Sequence, residues 1–130
     1  MIPVVTISQI EEAEKRVRPY IRRTPLLPFE FLGQKLSKEI ILKCESLQRT
    51  GSFKIRGAAN CILSQLDVAK KSGVIAASAG NHAQGVAAIA HILGIPATIV
   101  MPRHTPTIKV QNSERWGAKV ELVGNVYDDS

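Results

Sequence analysis

The stretch VIAASAGNHAQGVAAIAHILGIPATIVM, residues 74–101, contains two short apolar runs separated by an alanine-rich segment. The runs VIAAS and ATIVM are nearly continuous in apolar residues, which is typical of buried strands. The segment from Asn81 to Leu93 has the length and spacing of a helix, and Gly94 is a helix stop signal. Because parallel strands need a crossover connection, the stretch predicts a strand–helix–strand unit in a parallel sheet.

Other segments extend this alternation on both sides. Ser8, followed three residues later by Glu11, predicts a capped helix start, and the prolines at 25 and 28 predict an extended linker. Further predicted elements are helices at 8–18, 29–36, 54–66 and 105–116, the last capped by Thr105, and strands at 39–45 and 119–123. The short connections and apolar strands favour an α/β fold, a parallel sheet flanked by helices on both faces.

Composition narrows the class of protein. The 130 residues, 45% of them hydrophobic, have the balance of a soluble globular domain, and the net charge is +6. Basic pairs such as 22–23 and 70–71 lack interleaved aromatic residues, which disfavours nucleic-acid binding. No segment is typical of a membrane span or an export signal, so we expect no membrane partner and a cytoplasmic location. The cysteines, Cys44 and Cys61, lack the close spacing of metal ligands; we predict that both are buried packing residues and that there is no metal site.

The end of the chain has an unusual pattern. Residues 124–130, GNVYDDS, follow the last predicted strand and look like a loop and the N-cap of another helix. We expect that the chain is the N-terminal piece of a longer protein; a loose C-terminal tail is the alternative.

The loop RTGSFKIRG, residues 49–57, places Lys54 at the start of a predicted helix, between Phe53 and Ile55. The positive end of the helix dipole and the apolar neighbours both disfavour a charged lysine, so the pattern predicts a lowered pKa. Such a lysine suits Schiff-base chemistry. From position alone, an ordinary surface lysine on an amphipathic helix is the favoured interpretation.

The loop ASAGNHAQG, residues 77–85, leads from a predicted strand into a helix, where ligands of open α/β sheets bind. Ser78, Gly80 and Asn81 are small or hydrogen-bonding, and the backbone amides at the helix start favour a carboxylate or phosphate. A plain strand-to-helix turn capped by Asn or Ser is an equal alternative. We interpret His82 as a structural hydrogen-bonding residue rather than a base.

Two segments together, 45–58 (ESLQRTGSFKIRGA) and 78–87 (SAGNHAQGVA), resemble the signature segments of pyridoxal-phosphate enzymes of the tryptophan-synthase β type. Within that group they are similar to threonine dehydratase (threonine ammonia-lyase) and its relative serine racemase. Residues 22–26 (RRTPL) are similar to the family's N-terminal segment. The resemblance covers essentially the whole chain and implies a tryptophan-synthase β-like fold, here incomplete because full-length members are much longer.

The resemblance implies a role for each matching residue. Lys54 would hold pyridoxal phosphate through a Schiff base and then remove the α-proton of the substrate, Phe53 would lie against the cofactor ring, and Asn81 would hydrogen-bond its phenolic oxygen. The residues implied to bind the substrate carboxylate are Ser78, Ala79, Gly80, Asn81 and His82. The implied reaction converts L-threonine, and L-serine, to a 2-oxo acid and ammonia.

Position 79 favours one reaction over another. Racemases of the group resemble the pattern Ser-Ser-Gly-Asn-His, in which the second serine is an acid/base, whereas this chain has Ala79. A methyl group cannot move a proton, so dehydration is favoured over a serine racemase-like reaction. The alternatives are a non-catalytic fragment or self-associating binding module of the same fold, and a cysteine-synthase relative, which the Gly-Asn-His-Ala-Gln loop disfavours.

The resemblance also implies a division of the chain. Residues 1–46 would belong with a large domain, and residues 47–130 would form most of a small domain. The family's glycine-rich loop for the cofactor phosphate has no counterpart in residues 83–130. A half-built two-domain protein should expose an apolar patch, so we expect a homo-oligomer.

Overall fold

The fold is described by a computed structural model covering residues 4–125. The helices are α1 (Ile7–Val17), α2 (Glu30–Leu36), α3 (Lys54–Ser64), α4 (Leu66–Ser72), α5 (Asn81–Leu93) and α6 (Thr107–Glu114). The strands are β1 (Leu26–Pro28), β2 (Ile41–Lys43), β3 (Val74–Ala77), β4 (Ala97–Met101) and β5 (Lys119–Leu122), and a 3-10 turn spans Glu45–Leu47. Residues 126–130 of the predicted loop and N-cap lie outside the described residues.

The centre of the fold is a three-stranded parallel sheet in the order β3, β4, β5. The predicted strand–helix–strand unit is confirmed, and α5 has the predicted bounds. This helix ends at Gly94, whose φ of 66° is the left-handed conformation that glycine adopts without a steric penalty. Its N–H donates to the carbonyls of Ala90 and His91, so these carbonyls at the end of the helix have a hydrogen-bond donor.

Helices cover one face of this sheet. Ala97, Ile99 and Met101 of β4 are buried on the face that α5 contacts, and right-handed crossovers of adjacent parallel strands place α5 and α6 on the same side. On the opposite face Ile75 is 73% exposed. The predicted parallel sheet with helices is confirmed, but the expected helices on both faces are not found within residues 4–125.

The main helix packing joins α3 to α5. A Cβ built on Gly85 would lie 3.1 Å from the Ile55 nitrogen and 3.2 Å from the carbonyl carbon of Lys54. The two backbones therefore touch at Gly85, and α1 packs on the other side of α3. The buried alanines of α3 and α5 permit the same close approach along the interface.

The N-terminal part differs from the prediction in two ways. The cap of α1 is Thr6, which accepts from the Gln9 N–H while the Gln9 side chain accepts from the Thr6 N–H; the predicted Ser8–Glu11 box is wrong. The predicted linker contains β1, which pairs antiparallel with β2 and sets Leu27 opposite Leu42. The predicted strand at 39–45 is therefore the shorter strand β2. It pairs with β1 in a two-stranded sheet that is separate from the parallel sheet.

Three further expectations are corrected. The predicted helix at 54–66 breaks at Gln65, whose φ of −129° and ψ of 37° are not helical, and α4 follows. Thr105 does not cap α6, which begins after Pro106 without a side-chain cap. Cys61 is exposed and Cys44 half-buried, because Cys61 lies off the buried stripe of α3. In residues 4–125 no helix is long and apolar enough to cross a membrane.

Candidate active site

Lys54 is the first residue of α3 and lies at the protein surface. Its backbone N–H donates to the Ser52 hydroxyl at 3.4 Å, and its Nζ lies 5.5 Å from the centroid of the Phe53 ring. Phe53 is 60% exposed, whereas Ile55 is fully buried. The helix directs Ile55 into the core and leaves the other two side chains outside, so the expected shielding of Lys54 by both neighbours is not found.

The predicted substrate loop follows β3. The Ser78 N–H donates to the Val100 carbonyl at 3.0 Å, which continues the sheet ladder, and the buried Ser78 hydroxyl accepts from the Gly80 N–H at 3.3 Å. Ala79 packs against the core, and Asn81 and His82 begin α5 with exposed side chains. A Cβ on Gly80 would meet no atom within 4 Å. The start of α5 is therefore open to a ligand.

Gly85 brings the two predicted loops together. It contacts the backbone of Lys54 and lies four residues after Asn81, about 6 Å along the helix axis. Sequence reasoning identified both loops but missed the packing role of Gly85, the last residue of the loop 77–85 and a single glycine within an alanine-rich helix. Such a glycine is a usable signal, because it weakens the helix and often has a packing reason.

A cluster of charged side chains, which sequence reasoning missed, fixes the segment that leads into α3. The Arg56 guanidinium donates to both carboxylate oxygens of Glu45, at 2.7 and 2.8 Å, and the Thr24 hydroxyl donates to Glu45 at 2.5 Å. Hydrogen bonds from Arg56 and Thr24, opposed by partial burial, lower the pKa of Glu45 from 4.5 to about 2. Lys43 Nζ donates to the Thr24 carbonyl at 2.7 Å. The segment before Lys54 is thereby tied to its helix.

A second tie joins the family-like segments 22–26 and 45–58. The buried Gln48 side chain accepts from the Arg22 N–H and donates to the Arg22 carbonyl, each at 2.8 Å. The Gln48 side chain thus forms the same two hydrogen bonds with the Arg22 backbone that a residue of a neighbouring strand would form. In the sequence, Gln48 lies inside the family-like segment 45–58, but this position does not reveal a partner 26 residues away.

The residues present fit a cofactor that reacts with a lysine. The Lys54 amine is exposed, the first amides of α5 have no intrahelical acceptor, and the space above Gly80 is open. Thr50, in the loop before Lys54, has a buried hydroxyl with no hydrogen-bond partner in the part of the chain that the structure describes. Residues 4–125 contain no group of three or more side chains that could hold a metal ion.

Comparisons with known proteins give the same picture. Residues 17–130 match the model of a family described as pyridoxal-phosphate dependent enzyme. The chain is 50% identical to a catabolic L-threonine dehydratase of Staphylococcus aureus over 98% of its own length and 37% of that protein. It is 49% identical to an L-threonine ammonia-lyase of Thermotoga maritima, over 98% of its length and 32% of that protein. The chain therefore spans about a third of the length of these relatives.

A solved structure agrees with the sequence relatives. Serine racemase from Dictyostelium discoideum superposes with a TM-score of 0.89 and 35% identity, over 96% of this chain and 41% of that one. The family match includes Lys54 and the 78–82 loop, and the resemblance seen in the sequence is confirmed. The chain belongs to the family of pyridoxal-phosphate-dependent enzymes.

Proposed function

We propose that this chain carries the lysine-bearing part of an ammonia-lyase that converts L-threonine, and L-serine, to a 2-oxo acid and ammonia. The observation that supports the proposal is the backbone contact between Lys54 and Gly85, which lies in the helix that the 78–82 loop begins. The two sequence relatives named as L-threonine dehydratase and ammonia-lyase support the substrate. The chain covers about a third of them, so the proposal assigns the phosphate-binding part of the site to another segment.

Each residue has a task in this proposal. Bound pyridoxal phosphate supplies an electron sink that makes the α-hydrogen of an amino acid acidic. The Lys54 Nζ holds the cofactor and then takes the proton from the substrate α-carbon. Asn81 donates a hydrogen bond to the phenolic oxygen of the cofactor, and Phe53 lies against its ring. The 78–82 loop binds the substrate carboxylate, because helix N-termini attract anions.

Racemisation is the second candidate, supported by the similarity to a serine racemase structure. A racemase needs a second proton-carrying group on the opposite side of the substrate from Lys54. Ala79 occupies the matching position and packs against the core. Its methyl group neither donates nor accepts a proton, which favours loss of the β-hydroxyl over inversion at the α-carbon.

Further parts of the proposal concern organisation. We place residues 1–46 with a large domain and residues 47–130 in a small one, although α1 contacts α3 across that boundary. We also propose a cytoplasmic homo-oligomer. A non-catalytic role for the chain is the competing hypothesis, since the family's phosphate loop has no counterpart here.

The test is covalent labelling of the purified chain. Pyridoxal phosphate is added, the visible absorbance of the lysine adduct is recorded, borohydride is used to fix it, and the modified peptide is mapped by mass spectrometry. We expect one equivalent at Lys54, lost in Lys54→Ala and kept in Lys109→Ala, which removes another exposed lysine. Labelling scattered over several lysines would contradict a site pre-organised by this chain.

Product analysis separates the two reactions. With L-serine and with pyridoxal phosphate left unreduced, the complete enzyme is expected to form pyruvate and ammonia in excess over D-serine, and L-threonine should give 2-oxobutanoate, whereas this chain alone is expected to be inactive. D-serine as the main product would favour racemisation. Labelling at Lys54 in a complete enzyme that forms no product would favour the non-catalytic hypothesis.

A further inference from the structure

A basic cavity lies away from Lys54 and the 78–82 loop. It has a volume of about 480 Å³ and is bordered by α1, the segment after it, β2 and α3. Five cations line it, together with the carboxylate of Glu14: Arg18, Arg22, Arg23, Lys43 and Arg56. This volume is within the range of small-molecule sites.

Part of this lining is held in place by ion pairs. Arg18 donates to both carboxylate oxygens of Glu14 at 2.8 and 2.7 Å, and Arg56 is bound in the same two-point manner by Glu45. Lys43 is anchored on the Thr24 carbonyl. Of the five cations, Arg18 and Arg56 are thus paired with carboxylates, and the cavity has an excess of positive charge.

The remaining two cations lack a carboxylate partner. The Arg22 guanidinium makes one long hydrogen bond, 3.4 Å to the Leu47 carbonyl, and that of Arg23 makes none to any residue in the range 4–125. The backbone beside them is fixed, because Gln48 binds both the N–H and the carbonyl of Arg22. The field of the cluster reaches Glu14, whose pKa is lowered by its hydrogen bond to Arg18 and by the charges of Arg18, Arg23 and Arg56.

We propose that this cavity binds a small polyanion that carries several phosphate groups, with Arg22 and Arg23 as its principal ligands. Guanidinium groups match phosphate oxygens in geometry and form the stronger, charge-assisted hydrogen bonds. A ligand with several negative charges matches Arg22, Arg23 and Lys43, the three lining cations without a carboxylate partner, better than a single phosphate does. The site is independent of the proposed catalytic function, because neither Lys54 nor the 78–82 loop lines it.

Calorimetric titration with linear tripolyphosphate at low ionic strength tests the proposal. The variant Arg22→Gln/Arg23→Gln removes the two unpaired ligands and breaks no ion pair. Each lost charge-assisted hydrogen bond should weaken binding by about tenfold or more. The control Arg103→Gln/Lys109→Gln removes the same charge from exposed positions outside the cavity and should bind as the parent does.

Three results would overturn the site: no heat of binding, equal weakening in both double variants, or inorganic phosphate binding as tightly as tripolyphosphate. Equal weakening would show a response to net charge alone. Borohydride labelling of Lys54 should be unchanged in Arg22→Gln/Arg23→Gln, so failure here is distinguishable from failure of the proposed function.

Discussion

The side chain of Gly85, a single hydrogen atom, determines how closely α3 and α5 approach. In Gly85→Ala the new methyl would lie 3.1 to 3.2 Å from backbone atoms of Lys54 and Ile55, which cannot rotate away. We expect the free energy of unfolding to fall by about 1–3 kcal/mol, as measured by urea denaturation. Labelling of Lys54 by pyridoxal phosphate should fall as well.

Gly57→Ala is the matched control within α3. A Cβ at this position meets nothing within 4 Å, and the residue is exposed. Alanine is favoured over glycine in a helix by about 0.5–1 kcal/mol, so this variant should be more stable than the parent. Equal destabilisation by the two substitutions would contradict the backbone contact at position 85.

The lowered pKa of Glu45 predicts how the stability of the fold responds to acid. Its folded-state pKa of about 2 lies below the ordinary 4.5, so ionised Glu45 stabilises the fold above pH 4.5. This contribution is lost as pH falls from about 4.5 through about 2. Unfolding followed across this window should show a steeper loss for the parent than for Glu45→Gln, which is less stable at pH 7.

Glu39→Gln provides the comparison for that experiment. It removes an equal charge from an exposed residue that forms no salt bridge within residues 4–125. At pH 7 it should be closer in stability to the parent than Glu45→Gln is. An acid profile of Glu45→Gln parallel to that of the parent would rule out the assigned role of this carboxylate.

The sequence predicted the local setting of the proposed site residues but not their tertiary contacts. Lys54 and Asn81 stand at helix starts as predicted, because glycine loops and apolar periodicity are local signals. The Gly85 contact and the Glu45–Arg56 pair are tertiary, so no local pattern contains them. The exposure of Cys61 could have been found from the phase of the buried residues in α3.

Among the elements, the start of α1 offers a clear prediction. Thr6→Ala removes the side chain that accepts from the Gln9 N–H, at a cost of about 1 kcal/mol. Ser8→Ala changes a residue inside the helix and should be neutral or slightly stabilising, since alanine is the better helix former. Hydrogen exchange at the Gln9 amide should accelerate in Thr6→Ala and not in Ser8→Ala; faster exchange at the Glu11 amide in Ser8→Ala would instead support the cap predicted from the sequence.

Elements with strong local signals were predicted well. β3, α5 and β4 follow their apolar runs and the Gly94 stop. The cap of α1 was misassigned because two Ser/Thr-x-x-Glu/Gln patterns overlap in the sequence. Only the backbone conformation shows at which of the two the helix begins. β1 was missed because its partner β2 is distant in sequence and because prolines stand directly before the strand and at its last position.

At the scale of the whole molecule, exposed apolar side chains predict self-association. Leu27 and Leu42 face each other across β1 and β2 and are 49% and 43% exposed. Sedimentation velocity over a range of concentrations should show a dimer or larger species. The variant Leu27→Asn/Leu42→Asn should associate more weakly than the parent. Val68→Asn/Ile108→Asn alters two exposed side chains on helices and should not weaken it. A compact monomer at high concentration would contradict this prediction.

The contact at Gly85 also bears on motion. Because backbone meets backbone there, no side chain separates α3 from α5 at this point. We therefore expect a hinge movement to carry Lys54 and the 78–82 loop as one rigid body. Opening and closing around an amino acid would then change the distance between this body and its surroundings, while the spacing between the lysine and the carboxylate-binding loop stays constant.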